Sequence, residues 1–218
     1  MHFHIITIFP DIFSSYLSES IIGRAIKNKL IKVNFYNPRD FIKAPKNNYK
    51  PMDDKPYGGG PGMVIRAEPL LKAIEKAVNS IKSKNKKILI VNFIPSAEKF
   101  TTTFAKNISK KYTDIILICG RYEGIDARVD KILKTKKLSI GDYVLTGGEI
   151  PAMVLVDCVS RQIKGVLGNH DSLEEERVST SEVYTRPEIL KYKSKNYKVP
   201  EVLLSGNHKK IEEWRKRK

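Results

Sequence analysis

Three glycine-bearing clusters are places where the backbone itself could do chemistry. The first, Tyr57-Gly58-Gly59-Gly60-Pro61-Gly62-Met63, has four glycines in five positions. This frees the chain for positive φ, for close approach of a ligand and for an anion nest of successive N–H groups. It lacks the Gly-Lys-Ser/Thr ending of a nucleotide P-loop, and a tight turn before a strand accounts for it as well as a phosphate or nucleotide contact does. Asp53 and Asp54 just before it read as solvated turn residues. The second cluster, Cys119-Gly120-Arg121-Tyr122-Glu123-Gly124-Ile125-Asp126, follows an apolar run. Glu123 there can address a ligand hydroxyl or amine. Arg121, Glu123 and Asp126 can equally pair with one another and cap the next helix. The third, Ser139-Ile140-Gly141-Asp142-Tyr143-Val144-Leu145-Thr146-Gly147-Gly148-Glu149, turns on its paired glycines and opens a helix whose first amides would face a ligand. None fits the GxGxxG dinucleotide fingerprint. Three such loops in one small domain point to one shared site.

The elements that must position these loops follow from periodicity. Residues 3–9 predict a strand, 12–30 a helical stretch interrupted at Gly23, and 31–36 a second strand. Residues 37–62 carry five Pro and four Gly and predict a long functional loop. Apolar residues at 70, 71, 74, 77, 78 and 81 have helical spacing, and 88–93 and 115–119 are continuous apolar runs of buried-strand type on either side of a helix over 100–109. Strands alternating with helices predict an α/β fold with a parallel sheet covered on both faces. Residues 148–159 predict a further helix. Residues 169–181 are polar, acidic and rich in Ser and Thr and predict a mobile linker, and 209–218 predict a terminal helix.

Composition narrows the function classes. The chain has 218 residues, 41% hydrophobic, with 40 Lys plus Arg against 24 acidic residues, a net charge of +16. That excess favours a polyanion as partner, nucleic acid ahead of an acidic membrane, although lysine enrichment from an AT-rich genome is the plain alternative. Cys119 and Cys158 form no CxxC pair and the histidines show no metal spacing, so neither a disulfide framework nor a structural zinc site is predicted. No apolar run reaches membrane-span length and no leader precedes the first strand, which predicts a cytoplasmic protein.

The runs Asp53-Asp54-Lys55-Pro56-Tyr57-Gly58-Gly59-Gly60-Pro61-Gly62-Met63, Gly120-Arg121-Tyr122-Glu123-Gly124-Ile125-Asp126, Gly141-Asp142-Tyr143-Val144-Leu145-Thr146-Gly147-Gly148-Glu149-Ile150-Pro151-Ala152-Met153 and Leu203-Leu204-Ser205-Gly206-Asn207-His208 occur in this order. Together they resemble the bacterial tRNA (guanine-N1)-methyltransferase family, of the SPOUT class, over nearly the whole chain. The resemblance implies an α/β parallel sheet with a deep C-terminal trefoil knot and a small, mostly helical C-terminal domain. The implied division is a knotted cofactor-binding domain over 1–164, a linker over 165–184 and a shortened tRNA-binding domain over 185–218. It implies S-adenosylmethionine as methyl donor, tRNA with guanine 3′ of the anticodon as substrate, a homodimer, and Mg²⁺ dependence in which Glu123 is the carboxylate involved. Carried over by motif, the cofactor pocket comprises Pro95, Gly120, Tyr122, Glu123, Ile140, Gly141, Tyr143, Leu145, Gly147, Gly148 and Pro151.

Methylation at guanine N1 calls for a carboxylate base and a cation near O6. The resemblance puts the cation at Arg161 and the base at Glu176, where related proteins carry Asp followed by Ser and this chain carries Glu followed by Arg177. Glu175 and Asp171 are the alternative bases. The segment up to Tyr184 is shorter than usual, and the chain ends at Lys218 where relatives continue with further helices. Lys191, Lys193, Lys195 and Lys198 offer phosphate contacts in their stead. These departures motivate a rival reading, a tRNA-binding protein of the same fold with weakened catalysis. A second rival, a knotted enzyme acting on a ribose hydroxyl or another base, is opposed by the 57–63 and 203–208 motifs.

Overall fold

The computed structural model describes residues 1–43, 50–168 and 182–216. The chain divides into two compact units, Met1–Leu167 and Gly168–Lys218.

The first unit is built on five parallel strands in the order β2-β1-β6-β5-β7, comprising β1 (His2–Ile6), β2 (Lys32–Tyr36), β5 (Ile88–Phe93), β6 (Asp114–Ile118) and β7 (Lys136–Leu138). A two-stranded antiparallel ribbon, β3 (Asp53–Asp54) with β4 (Val64–Ile65), flanks it. Alternation along the strands sorts side chains into two cores. On one face Phe3, Ile5, Val91, Ile115, Leu117 and Leu138 pack with Leu17 of α1 (Ser14–Ser18), Ile22 of α2 (Ser20–Lys27), Ile108 of α4 (Thr102–Lys111) and Leu155 of α6 (Glu149–Ser160). On the other face Ile6, Ile116 and Ile118 meet Leu70, Ile74 and Ala77 of α3 (Ala67–Ser80) and Val129 of α5 (Ala127–Leu133). All five β6 residues are buried, and each aliphatic side chain so enclosed contributes about 1.5–3 kcal/mol. The α/β class and covered parallel sheet expected from periodicity are present.

Local chemistry sets the helix ends. The Thr101 hydroxyl accepts from the Phe104 amide at 3.2 Å to start α4, whose last turn carries Lys110 and Lys111 against the negative end of the dipole. Asp126 accepts from the Arg128 amide at 2.9 Å to start α5, which stops at left-handed Lys134 (φ 51°). The break expected at Gly23 lies instead between α1 and α2, at Glu19 and Ser20 (φ 52°). Gly23 sits within α2 because a Cβ there would stand 2.3 Å from the Ser18 carbonyl oxygen. It permits the tight corner without forming it.

In the second unit the described residues include a hairpin, β8 (Ile189–Tyr192) with β9 (Lys195–Lys198), followed by α7 (Glu201–Leu204) and α8 (His208–Arg215). The described residues hold two helices, as expected for this domain, and also a hairpin that was not expected. Its two-residue turn places Lys193 at φ 53° without the Asn-Gly or Asp-Gly signal that usually marks such a turn. Residues 169–181, the core of the expected linker, lie outside the described residues. Among the described residues no helix is long and apolar enough to cross a membrane.

Candidate functional site

A cleft of about 440 Å³ opens beyond the carboxyl ends of β5, β6 and β7, where parallel α/β sheets bind ligands and within the size range of small-molecule pockets. The loop after β5 contributes Ile94 and Pro95, the loop after β6 residues 120–125, and the loop after β7 residues 139, 140 and 143–148. Of the eleven residues expected to form the cofactor pocket, Pro95, Gly120, Tyr122, Glu123, Ile140, Tyr143, Leu145, Gly147, Gly148 and Pro151 line this cleft. Gly141 does not line it. A Cβ at Gly141 would stand 2.3 Å from the Tyr143 ring, so its bareness lets that ring fold back and its hydroxyl donate to the Ile140 carbonyl at 3.2 Å.

Glycine here fuses two loops into one wall. The Gly148 amide donates to the Gly120 carbonyl at 2.8 Å, Arg121 bridges to Gly147, and a Cβ on Gly148 would lie 2.7 Å from Cys119 Cα. Backbone atoms cannot step aside, so any side chain at 148 separates the loops. The first glycine cluster docks on the same wall. The Glu123 amide donates to the Met63 carbonyl and the Ile65 amide to the Gly124 carbonyl, both at 3.0 Å. Gly62 at φ 89° leaves room for the Glu123 side chain, whose Oε1 lies 2.6 Å from where a Cβ would be. Tyr57, at the tip, is fully exposed.

Beneath the wall lies a buried carboxylate. Glu149 Oε1 accepts from the Thr7 hydroxyl at 2.9 Å, and Oε2 meets Arg121 Nε at 3.0 Å in an ion pair, not an aligned hydrogen bond. The Arg121 guanidinium lies over the Phe9 ring, 4.8 Å from its centre. This ties the cleft loop to the end of β1. Burial, reinforced by the Glu149 charge, pushes the Cys119 thiol well above its ordinary range, which makes it an inert packing group.

Asn92, Asp130 and Lys137 also line the cleft and were not among the sequence candidates. The Asn92 amide donates to Asp130 Oδ1 at 3.0 Å, and Lys137 Nζ lies 3.2 Å from Asp130 Oδ2. The one sequence signal was an Asn within the apolar 88–93 run. Asp130 sits in a short mixed helix that nothing in its spacing marks.

Arg161 is the C-cap of α6 and does not line the cleft. The helix begins at the cleft and runs for 12 residues, so Arg161 lies about 18 Å along it from the cleft wall. Glu176, Glu175 and Asp171 lie outside the described residues.

The family model described as tRNA (Guanine-1)-methyltransferase TrmD matches residues 1–218. A tRNA (guanine-N(1)-)-methyltransferase of Clostridioides difficile is 45% identical over 99% of this chain and 91% of its own length. That of Buchnera aphidicola from Acyrthosiphon pisum is 45% identical over 98% and 87%. Among solved structures, the tRNA (m1G37) methyltransferase from Aquifex aeolicus aligns with a TM-score of 0.75 at 41% identity, covering 98% of this chain and 87% of that one. From the glycine-lined cleft to the match over its full length, the chain belongs to the tRNA (guanine-1)-methyltransferase family.

Proposed function

We propose that this chain transfers the methyl group of S-adenosylmethionine to N1 of the guanine at tRNA position 37, next to the anticodon. The observation that carries the reading is the fusion of the loops after β6 and β7 through Gly120, Gly147 and Gly148 into one cofactor wall, in a chain of this family. The cofactor supplies, when bound, an electrophilic methyl group on a sulfonium centre. The residues present fit it: a glycine cradle that a Cβ would fill, carbonyl and amide groups along the loops, and the Glu123 and Asp130 carboxylates at the cleft to complement a cation. The crossing of the 139–148 loop against Cys119 and Gly120 supports a trefoil knot in this region.

Guanine N1 must lose its proton as it attacks. Glu176 accepts that proton, and Arg161 stabilises charge developing on O6. Because Arg161 lies a helix length from the cleft of its own chain, the enzyme works as a homodimer in which one copy holds the cofactor and the other presents Arg161 to the base. The second unit binds tRNA, with Lys191, Lys193, Lys195 and Lys198 of the exposed hairpin at phosphates. Glu123, exposed at the cleft mouth, is the carboxylate available to Mg²⁺, which characteristically takes few protein ligands and completes its shell with water. The site of action is the cytoplasm.

The test is transfer of a labelled methyl group to unmodified tRNA carrying guanine 37, for wild type, Glu176→Gln and Arg161→Ala. Arg161→Ala is expected to lower kcat by about 10²–10³ with cofactor affinity nearly unchanged, and Glu176→Gln to lower turnover by a similar factor. Unimpaired turnover in Glu176→Gln moves the base to Glu175 or Asp171. Wild type that binds tRNA and cofactor without turnover refutes the enzymatic reading in favour of a binding protein.

A further inference from the structure

At the opposite end of the sheet from the cleft, His2 and His4 leave the same face of β1, and Asp114, which opens β6, pairs in register with His2. Asp114 Oδ1 lies 3.5 Å from His2 Nδ1 and 3.1 Å from His4 Nε2, and the three ligand atoms lie within 4.8 Å of one another. His4 is fully buried, Asp114 nearly so, and His2 keeps a fifth of its side chain open to solvent. The cluster is a strand length, about 13 Å, from the cleft, so it takes no part in methyl transfer.

The surrounding hydrogen bonds orient both rings. Ser80 donates its hydroxyl hydrogen to the Ala77 carbonyl at 2.7 Å. Tyr36 must therefore donate to Ser80 Oγ, 2.8 Å away. The Tyr36 oxygen, 3.1 Å from His4 Nδ1, then accepts from that ring nitrogen, which leaves a lone pair on Nε2 of neutral His4. Likewise His2 Nε2 donates to the Asn34 carbonyl oxygen at 3.1 Å, which leaves a lone pair on Nδ1 of neutral His2. Both lone pairs face the Asp114 carboxylate. Three acceptors so close together, in a largely buried pocket, form a site that a bound cation would satisfy.

We infer that His2 Nδ1, His4 Nε2 and Asp114 Oδ1 form a binding site for a divalent transition-metal ion of the zinc class. The two separations from Asp114, 3.1 and 3.5 Å, bracket the edge of about 3.3 Å expected for a tetrahedron with bonds near 2.0 Å, and the third pair, within 4.8 Å, would close by a turn of the partly exposed His2 ring. Tyr36 and Asn34 supply the outer hydrogen bonds that fix each ring's tautomer, and the exposed side of His2 admits the ion and a completing water. The histidine spacing alone does not reveal the site, because its third ligand lies 110 residues further along the chain. Such an ion would clamp the amino end of β1 to β6, a structural role separate from the reaction.

The test uses the untagged full chain, stripped with a chelator and titrated with Zn²⁺ and with Co²⁺. The expected result is one ion per chain, a tetrahedral-type cobalt absorption band, and a rise in Tm of about 5 °C or more at saturating zinc. His2→Ala and His4→Gln each weaken binding at least about tenfold, while His208→Ala leaves it unchanged. In wild type, a readout that needs no variant, zinc shifts the imidazole resonances of both His2 and His4. No stoichiometric uptake, uptake unaffected by His2→Ala or His4→Gln, or a shift confined to His2 would overturn the assignment, the last indicating capture by the chain's amino terminus.

Discussion

The two compact units solve different problems. In Met1–Leu167 both faces of the sheet are covered and every cleft loop is anchored to backbone or to a buried carboxylate. In Gly168–Lys218 no described residue is buried, and the hairpin carries four lysines beside Leu190, Tyr192 and Tyr197, all exposed. A cofactor cleft has to be preorganised, because loops held in place by packing lose little freedom on binding. A polyanion surface requires charge and reach and tolerates a small core. The contrast predicts that changes in the first unit act on cofactor binding and changes in the second on tRNA.

The largest effect on this contrast is expected at Gly148. Gly148→Val drives a side chain into the Cys119 backbone and lowers S-adenosylmethionine affinity by at least about 100-fold, while tRNA affinity by filter binding stays close to wild type. Parallel loss of both would mean that the units are not functionally separate. The converse variant, Lys191→Ala with Lys198→Ala, is expected to weaken tRNA binding about tenfold and to reduce the salt slope by about two, with cofactor affinity unchanged in calorimetry.

A subtler change tests whether the first unit suffices alone. On the proposed homodimer, Gly148→Val and Arg161→Ala chains are each expected to be nearly inactive, yet randomly mixed dimers should regain about a quarter of wild-type activity, since half would be heterodimers with one intact site. No recovery after verified subunit exchange would put Arg161 and the cleft of the same chain at one site. The smallest effect concerns Cys119. Burial and the Glu149 charge raise its thiol, so alkylation at pH 8 should spare it in the native protein and modify it after denaturation, as read by peptide mass spectrometry.

How much of this was legible in the sequence divides along the same line. The strands of the first unit follow directly from continuous apolar runs such as 114–118, buried on both faces, and the glycine loops from their composition. Asp130 was not legible, since its place in the cleft depends on α5 packing beside β5 and on Asn92 reaching it. The corner at Glu19 and Ser20 was misassigned to Gly23 because the permissive residue and the turning residue are distinct. The hairpin of the second unit was hidden by its lysines, since Lys191, Tyr192, Lys195 and Tyr197 alternate no clear apolar face with a polar one. Arg161 enters as a candidate through family resemblance alone, and its distance from the cleft emerges only when α6 is seen as one unbroken helix.

The most direct measurement is the identity of the product nucleoside. Unmodified tRNA with guanine 37, incubated with the protein and S-adenosylmethionine, digested and analysed by mass spectrometry against standards, should release N1-methylguanosine, and replacing guanine 37 should abolish it. A methyl group on a ribose, on another base, or on tRNA that lacks guanine 37 would contradict the account.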